Sequence, residues 1–226
     1  AMPEPFVFTQ LYLPRPIEAA TVTNLVARLA GSDIPRPLAL EIRAGDDGIQ
    51  HILGCTPTAV HQLKHLLRGF VPGIGFEGAT RAPVASAGRV DARQHGMPTG
   101  SPDPETLTAS LYSALAARKI GETVALQVVI GRAFAPRSVR PDHPDPLQPI
   151  SSRLWNGVMA AGSDSRRRLQ AHAAEPRLQV AIRIGVDGPD ANRRAALARG
   201  LFGSLNGLSA IGVKLKLSRD VAARLN

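Results

Sequence analysis

A chain of 226 residues that is 44% apolar and 20% charged is long enough to bury one large core or two small ones, which excludes disordered and collagen-like classes. No run approaches the ~18–20 consecutive apolar residues of a membrane span, Ala1-Met2-Pro3-Glu4 has no basic stretch leading into an apolar core, and the single Cys55 can form no internal disulfide, so a cytoplasmic setting is expected. The net charge of +9 is uneven: residues 1–80 hold six basic against seven acidic side chains and the remainder 21 against 11, nearly all of the excess being arginine.

In chain order, Val7 to Leu13 is a short apolar run closed by Pro14 and Pro16, and Ile17 to Leu29 sets Val22, Leu25, Val26 and Leu29 at helical spacing before Gly31. Leu38, Leu40 and Ile42 alternate with Ala39, Glu41 and Arg43, and Gly45-Asp-Asp-Gly48 turns the chain into Ile49 to Cys55, a hairpin. Thr56-Pro57 starts a helix with Val60, Leu63, Leu66, Leu67 and Phe70 on one stripe, and Ile74 to Glu77 supplies a last short strand. The order is β-α-β-β-α-β.

The order then repeats. Gly88 to Arg93 reads as a strand and Pro104 to Arg118 as a helix; Val124 to Ile130 and Leu178 to Val186 are alternating strands. Asp187-Gly-Pro-Asp190 caps a helix carrying Ala195, Leu197, Leu201 and Leu205, and Val213, Leu215 and Leu217 alternate with Lys214, Lys216 and Ser218. The expected fold class is α+β: two tandem ferredoxin-like βαββαβ units, residues 1–80 and 81–226, each a four-stranded antiparallel sheet with two helices on one face. Whether the sheets join is left open; a single undivided sheet, or a deep cleft lined by converging ionisable groups, would overturn the idea of a tandem repeat of one small fold without catalytic apparatus. The second unit carries an insertion at about 133–175 where a hairpin turn is expected; Pro136 to Pro149 reads as irregular and Ser151 to Ala174 as a helix bearing Leu154, Val158, Met159 and Leu169.

Several candidate sites have ordinary readings. Gly73-Ile-Gly-Phe-Glu-Gly78 fits G-x-G-x-x-G but follows a helix and precedes a strand, the reverse of a dinucleotide site, and no P-loop string occurs. His61 and His65 are four apart on a helix but lack a third ligand, so they read as solvated, and no metal or cofactor is expected. Cys55 before a helix reads as a small buried side chain, Asp46-Asp47 as turn chemistry, and Trp155 with Leu154 as packing that anchors the inserted helix. The basic groups carry more weight: Arg166, Arg167 and Arg168 in the insertion, and Arg89, Arg93, Gln127, Gln179, Arg183, Lys214 and Lys216 opposite the apolar alternation of the second unit. Arg166, Arg167, Arg168, Arg183, Lys214 and Lys216 are the nucleic-acid candidates, through salt-sensitive phosphate contact. A solvated polar face is the competing account. The strand Arg177 to Val186 has no aromatic residue, which removes an RNA-recognition stacking platform.

Leu11-Tyr-Leu-Pro-Arg-Pro16, the hairpin Leu38 to Ala44 with Gly48 to Cys55, the segment Ala174 to Val186 and Val221-Ala-Ala-Arg-Leu-Asn226 together resemble the N-terminal region of actinobacterial conjugative DNA-transfer ATPases, the coupling proteins of type IV secretion. That region precedes a P-loop motor, so the resemblance implies a cytoplasmic, non-catalytic accessory domain for assembly or DNA handling, in a parent associated with the inner face of the membrane. Its partners would be the C-terminal motor ATPase domain of the same protein, DNA, and other secretion or transfer proteins. None of the family's nucleotide-binding residues has a counterpart. An alanine before the first methionine, and an ending that reads as an unfinished helix, fit an excised piece of a larger protein. The alternatives are a stand-alone enzyme or small-ligand-binding domain with a pocket between the units, and a pure protein-interaction domain.

Overall fold

Period-two alternation and turn residues set eight strands in the computed structural model, which describes residues 5–14, 16–99, 103–140, 144, 145, 148, 150–174, 176–208 and 211–226, without the side chains of residues 93–99, 150, 168, 172 and 211. The strands are β1 (Val7–Tyr12), β2 (Leu38–Gly45), β3 (Gly48–Cys55), β4 (Gly75–Gly78), β5 (Ser86–Thr99), β6 (Thr123–Phe134), β7 (Arg177–Asp187) and β8 (Ile211–Asp220). The helices are α1 (Ala19–Ala30), α2 (Pro57–Phe70), α3 (Pro104–Ala116), α4 (Ile150–Asn156), α5 (Ser163–Ala174) and α6 (Ala191–Ser204). Their starts follow from local chemistry. Pro57 and Pro104 occupy first-turn positions where no amide partner is needed, the Asp103 carboxylate accepts the Glu105 and Thr106 amides, and Asp190 accepts the Arg193 amide at 2.8 Å.

All eight strands form one antiparallel sheet in the order β4-β1-β3-β2-β6-β7-β5-β8. Read inward from each edge, the two halves have the same relative order, β4-β1-β3-β2 and β8-β5-β7-β6. The join is the pairing of β2 with β6, from Leu38 opposite Ile130 to Ala44 opposite Val124. The sheets therefore merge into one undivided eight-stranded sheet, the arrangement that counts against two separate four-stranded units. Helices cover one side. Under α1 and α2, the latter with Leu63 and Leu67 facing inward, lie Leu11, Leu38 and Leu53; under α3 and α6, whose Leu115, Leu197 and Leu201 face inward, lie Val90 and Ile184. No helix among the described residues is long and apolar enough to cross a membrane.

The opposite side of the sheet is closed at its middle by two irregular segments. Residues 79–85, which link β4 to β5, and the chain end after β8 both cross it, and Val84 and Leu225 pack there on Ala125 and Ala87. Gly185 lies directly beneath, where a Cβ would stand 2.9 Å from Leu225 and 3.0 Å from Val84. This cover inverts the burial of β2: Glu41 and Arg43 are 2% and 1% exposed, whereas Leu40, on the helix side between the two helix pairs, is 39% exposed.

The insertion differs from the single helix expected over Ser151 to Ala174. Gly157, in the left-handed region at φ +72°, ends α4, and α5 restarts at Ser163, with Ala160 bridged to Pro144 between them. Leu154 and Trp155 do not anchor it, being 80% and 87% exposed. The expected unfinished helix at the chain end is one 3-10 turn, Ala222–Arg224, that delivers Leu225 to the sheet.

Candidate functional site

The strand residues that point away from the helices converge at the β2–β6 seam. Glu41 sits on β2 two residues from Arg43, so both side chains share that face. The Glu41 carboxylate accepts from Arg43 Nη2 at 3.2 Å, Arg81 Nη1 at 2.8 Å and Gln127 Nε2 at 2.8 Å. Arg43 also donates to the carbonyls of Ala82 and, at 2.8 Å, Leu225, while Arg81 donates to the Asn226 carbonyl and lies 3.4 Å over the Phe8 ring. Gln127 passes the chain across the seam: its Oε1 accepts from Arg183 Nη1 at 2.9 Å, and Arg183 Nε donates to Asp220 at 3.1 Å. Asp220 also accepts from Arg224 and from the Val221 amide. Burial of Arg43 pulls its pKa down, Glu41 opposing and Arg81 adding to the effect. Burial raises the Asp220 pKa, but the Val221 amide, Arg224 and Arg183 outweigh it and the carboxyl is held low. The result is a hydrogen-bonded line of charges from β2 to β8, fastened under the 79–85 linker and the chain end.

Two further contacts tie the halves. Asp46, in the β2–β3 turn, accepts the Gly121 amide at 3.0 Å and Arg118 Nη1 at 3.2 Å, so this turn residue also holds the loop after α3. On the helix side His51 Nε2 and the Tyr112 hydroxyl are 2.7 Å apart, at a cleft of about 470 Å³ lined by Tyr12, Ile17, Ile49 and Thr108 as well.

The six nucleic-acid candidates are not brought to one place. Arg183 belongs to the buried line and its side chain is only 19% exposed. Gln127, expected on the same polar face, is buried there too. Lys214 and Lys216 are exposed on β8, an edge strand, in the same sheet as Arg183 but outside the covered seam. Arg166 donates to the Ala161 carbonyl at 3.2 Å and Arg167 is exposed, both on α5 in the insertion; the side chain of Arg168 lies outside the described residues. Arg89 is paired with Asp91 at 2.7 Å, and the side chain of Arg93 lies outside the described residues. The acidic partner of Arg89, Asp91, stands at i+2 in the sequence and was a local signal, whereas Asp220, the partner of Arg183, is 37 positions away.

The remaining candidates fall as follows. The Gly73 to Gly78 string leads out of α2 into β4, with no helix after it. His61 and His65 are exposed on α2, and among the described residues no three His, Cys, Asp or Glu side chains stand together as a metal site. Cys55 is buried in the first core, and that burial pushes its thiol up despite Lys64, the opposite of an activated nucleophile. Compared with protein-family models and with curated proteins, the chain matches none.

Proposed function

We propose that this chain is a non-catalytic accessory domain of a conjugative DNA-translocating ATPase, built from two ferredoxin-like βαββαβ units fused through one sheet. The sequence resemblance supplies the family. The repeated strand order, with two helices over each half, supports the reading of a duplicated unit, although the undivided sheet tells against two separate domains. The single observation that carries the accessory role is the fate of the charges at the seam. Glu41, Arg43, Gln127, Arg183 and Asp220 bond mainly to one another and to backbone carbonyls under a cover of backbone, so they tie the halves together and are turned away from any reactant. Binding then belongs to the margins: Lys214 and Lys216 on β8, and Arg166, Arg167 and Arg168 on α5, facing DNA or the motor domain. Lysines on an edge strand also block strand addition, which is the competing use.

The test is anisotropy titration of single- and double-stranded DNA at 50 and 200 mM salt, with ATP turnover measured in parallel. Phosphate contact requires affinity that falls as salt rises. Replacing Arg166, Arg167 and Arg168 by Ala should weaken it, and unchanged binding removes the insertion from the model. ATP hydrolysis by this chain contradicts the accessory reading, and absence of DNA binding at both salts leaves a protein-interaction domain. A second reading, a small-ligand site between the halves, is favoured by the cleft at His51 and Tyr112; a ligand seated there would raise the melting temperature, and Tyr112→Phe would diminish the rise.

A further inference from the structure

Among the described residues most partly buried arginines face a carboxylate, and two, Arg36 and Arg194, do not; Arg36 donates to the Leu29 and Ser32 carbonyls at the end of α1. Arg43 and Arg81 face Glu41, Arg183 faces Asp220, Arg193 faces Glu122 and Arg118 faces Asp46. Arg194, half-buried in the first turn of α6, faces no carboxylate; it donates to the Gly188 carbonyl at 2.8 Å. Its position is unfavourable for a cation. The positive end of the helix dipole lies there, and the carboxylate at that end, the N-cap Asp190, is bound to the Arg193 amide and pairs with no guanidinium among the described residues. Its neighbour Arg193 is compensated by Glu122, and Arg194 is not.

Arg194 lines a cleft of about 550 Å³ between α6 and the edge of the sheet, and two further arginines line the same cleft, Arg199 one turn along α6 and Arg219 on β8. Arg199 donates only to the carbonyl of Ala195, and Arg219 has no ion pair among the described residues. The cleft lies where α6 packs mainly over β7, β5 and β6 rather than over β8, with Ala191, Ala195 and Ala198 on one wall and Gly88 and Leu217 on the other. The acid on its rim, Asp220, is committed to Arg183 and Arg224. Three arginines without carboxylate partners among the described residues line this recess together with Ser86, and they offer forked donors and positive charge.

The geometry points to a phosphate-binding site in the α6–β8 cleft, with Arg194, Arg199 and Arg219 as its ligands and Ser86 as a neutral donor. Phosphate matches the planar forks bidentately and offsets the charge of the three guanidiniums. The group is a phosphate ester or a free phosphate, and the sources are separated by experiment. The site stands apart from the α5 and Lys214/Lys216 candidates and deepens the DNA-handling proposal by naming where a strand's phosphate would seat.

The test uses the full 226-residue chain. Isothermal titration with pyrophosphate, a mononucleotide and a 20-nucleotide single strand separates a free-anion site from a strand site. The double variant Arg199→Ala/Arg219→Ala, both positions being exposed, should lower affinity for whichever ligand binds by about a hundredfold, since a hydrogen bond to a charged group corresponds to about tenfold or more. For the single strand it should also reduce the slope of log affinity against log salt by about 0.7 per phosphate released. Ala195→Glu, which keeps a good helix former at an exposed position, places a carboxylate in the cleft and should abolish binding without lowering the melting temperature. Binding of none of the three ligands by the native chain, or equal binding by native chain and both variants, overturns the proposal. Strand binding that ignores the cleft variants but responds to Arg166, Arg167 and Arg168 overturns this site alone, whereas pyrophosphate binding in the cleft without strand binding upholds the site and sinks the DNA reading.

Discussion

Glu41→Gln keeps the shape of the side chain and removes the one charge facing both Arg43 and Arg81. Arg43 is 1% exposed, with Nε lacking a hydrogen-bond partner, so its position depends on Glu41 and on the Ala82 and Leu225 carbonyls. Removing one partner of a buried pair costs about 3–5 kcal/mol because a charge is left without its counterpart. The glutamine still accepts from Gln127 and Arg81, which places the expected loss near the lower end, about 3 kcal/mol. Against a domain stability of about 5–15 kcal/mol this is a large fraction. Replacing both members, Glu41→Leu with Arg43→Met, removes the stranded charge along with its partner and should cost at least about 2 kcal/mol less than the two single changes together. The assay is urea unfolding followed by circular dichroism, with the midpoint read at constant slope. A loss below about 1 kcal/mol for Glu41→Gln, or strict additivity in the double variant, would falsify the view that this pair fastens the seam.

Leu225→Ala should cost about 2–3 kcal/mol, because the side chain is fully buried on Ala125 and Val84; the same urea titration measures it, and a change within 0.5 kcal/mol would mean the chain end is not held. Gly185→Ala drives a methyl into Leu225 and the stiff Val84 and should cost about 1–3 kcal/mol by overpacking, so a neutral or stabilising result would show that the cover is loose. Hydrogen bonding to Arg193 holds the Glu122 carboxyl down at about 2 from an ordinary 4.5. Between those values the unfolded chain binds the extra proton, so this contribution is fully present above about pH 4.5 and is lost as pH falls through about 2; urea midpoints should climb across that window, and Glu122→Gln should flatten the climb. The single Trp155 is 87% exposed, so its fluorescence should be quenched freely by iodide in the folded state and Trp155→Ala should change stability by less than about 0.5 kcal/mol; a protected indole would show that the insertion packs on something.

The elements were legible in the sequence because their signals are local. Leu178 to Val186 alternates over nine residues, Asp190 and Asp103 cap helices by their own side chains, and Gly45-Asp-Asp-Gly48 can only turn, with Gly48 at φ +95°. The insertion was misread where the local signal was weakest: Gly157 and Gly162 were outvoted by the apolar residues around them, and Trp155 was assigned packing that its surroundings do not supply.

What sequence could not carry is which side of a strand is inside. In β2 the apolar set Leu38, Leu40 and Ile42 faces the helices, as alternation requires, yet the polar set is the better buried one at Glu41 and Arg43. Alternation assigns residues to two faces; it does not say what lies over each face. Here that was decided by three distant partners of β2, namely β6, the 79–85 linker and Leu225, 182 positions from Arg43. The same blindness applied to Arg183, whose neighbours Gln127 and Asp220 are 56 and 37 residues away. An arginine on a strand is a binding candidate only after its carboxylates are counted in space, and by that count the groups at the seam are spent on one another while Arg194, Arg199 and Arg219, which no periodicity marked, line an open cleft whose one acid, Asp220, is already paired with Arg183 and Arg224.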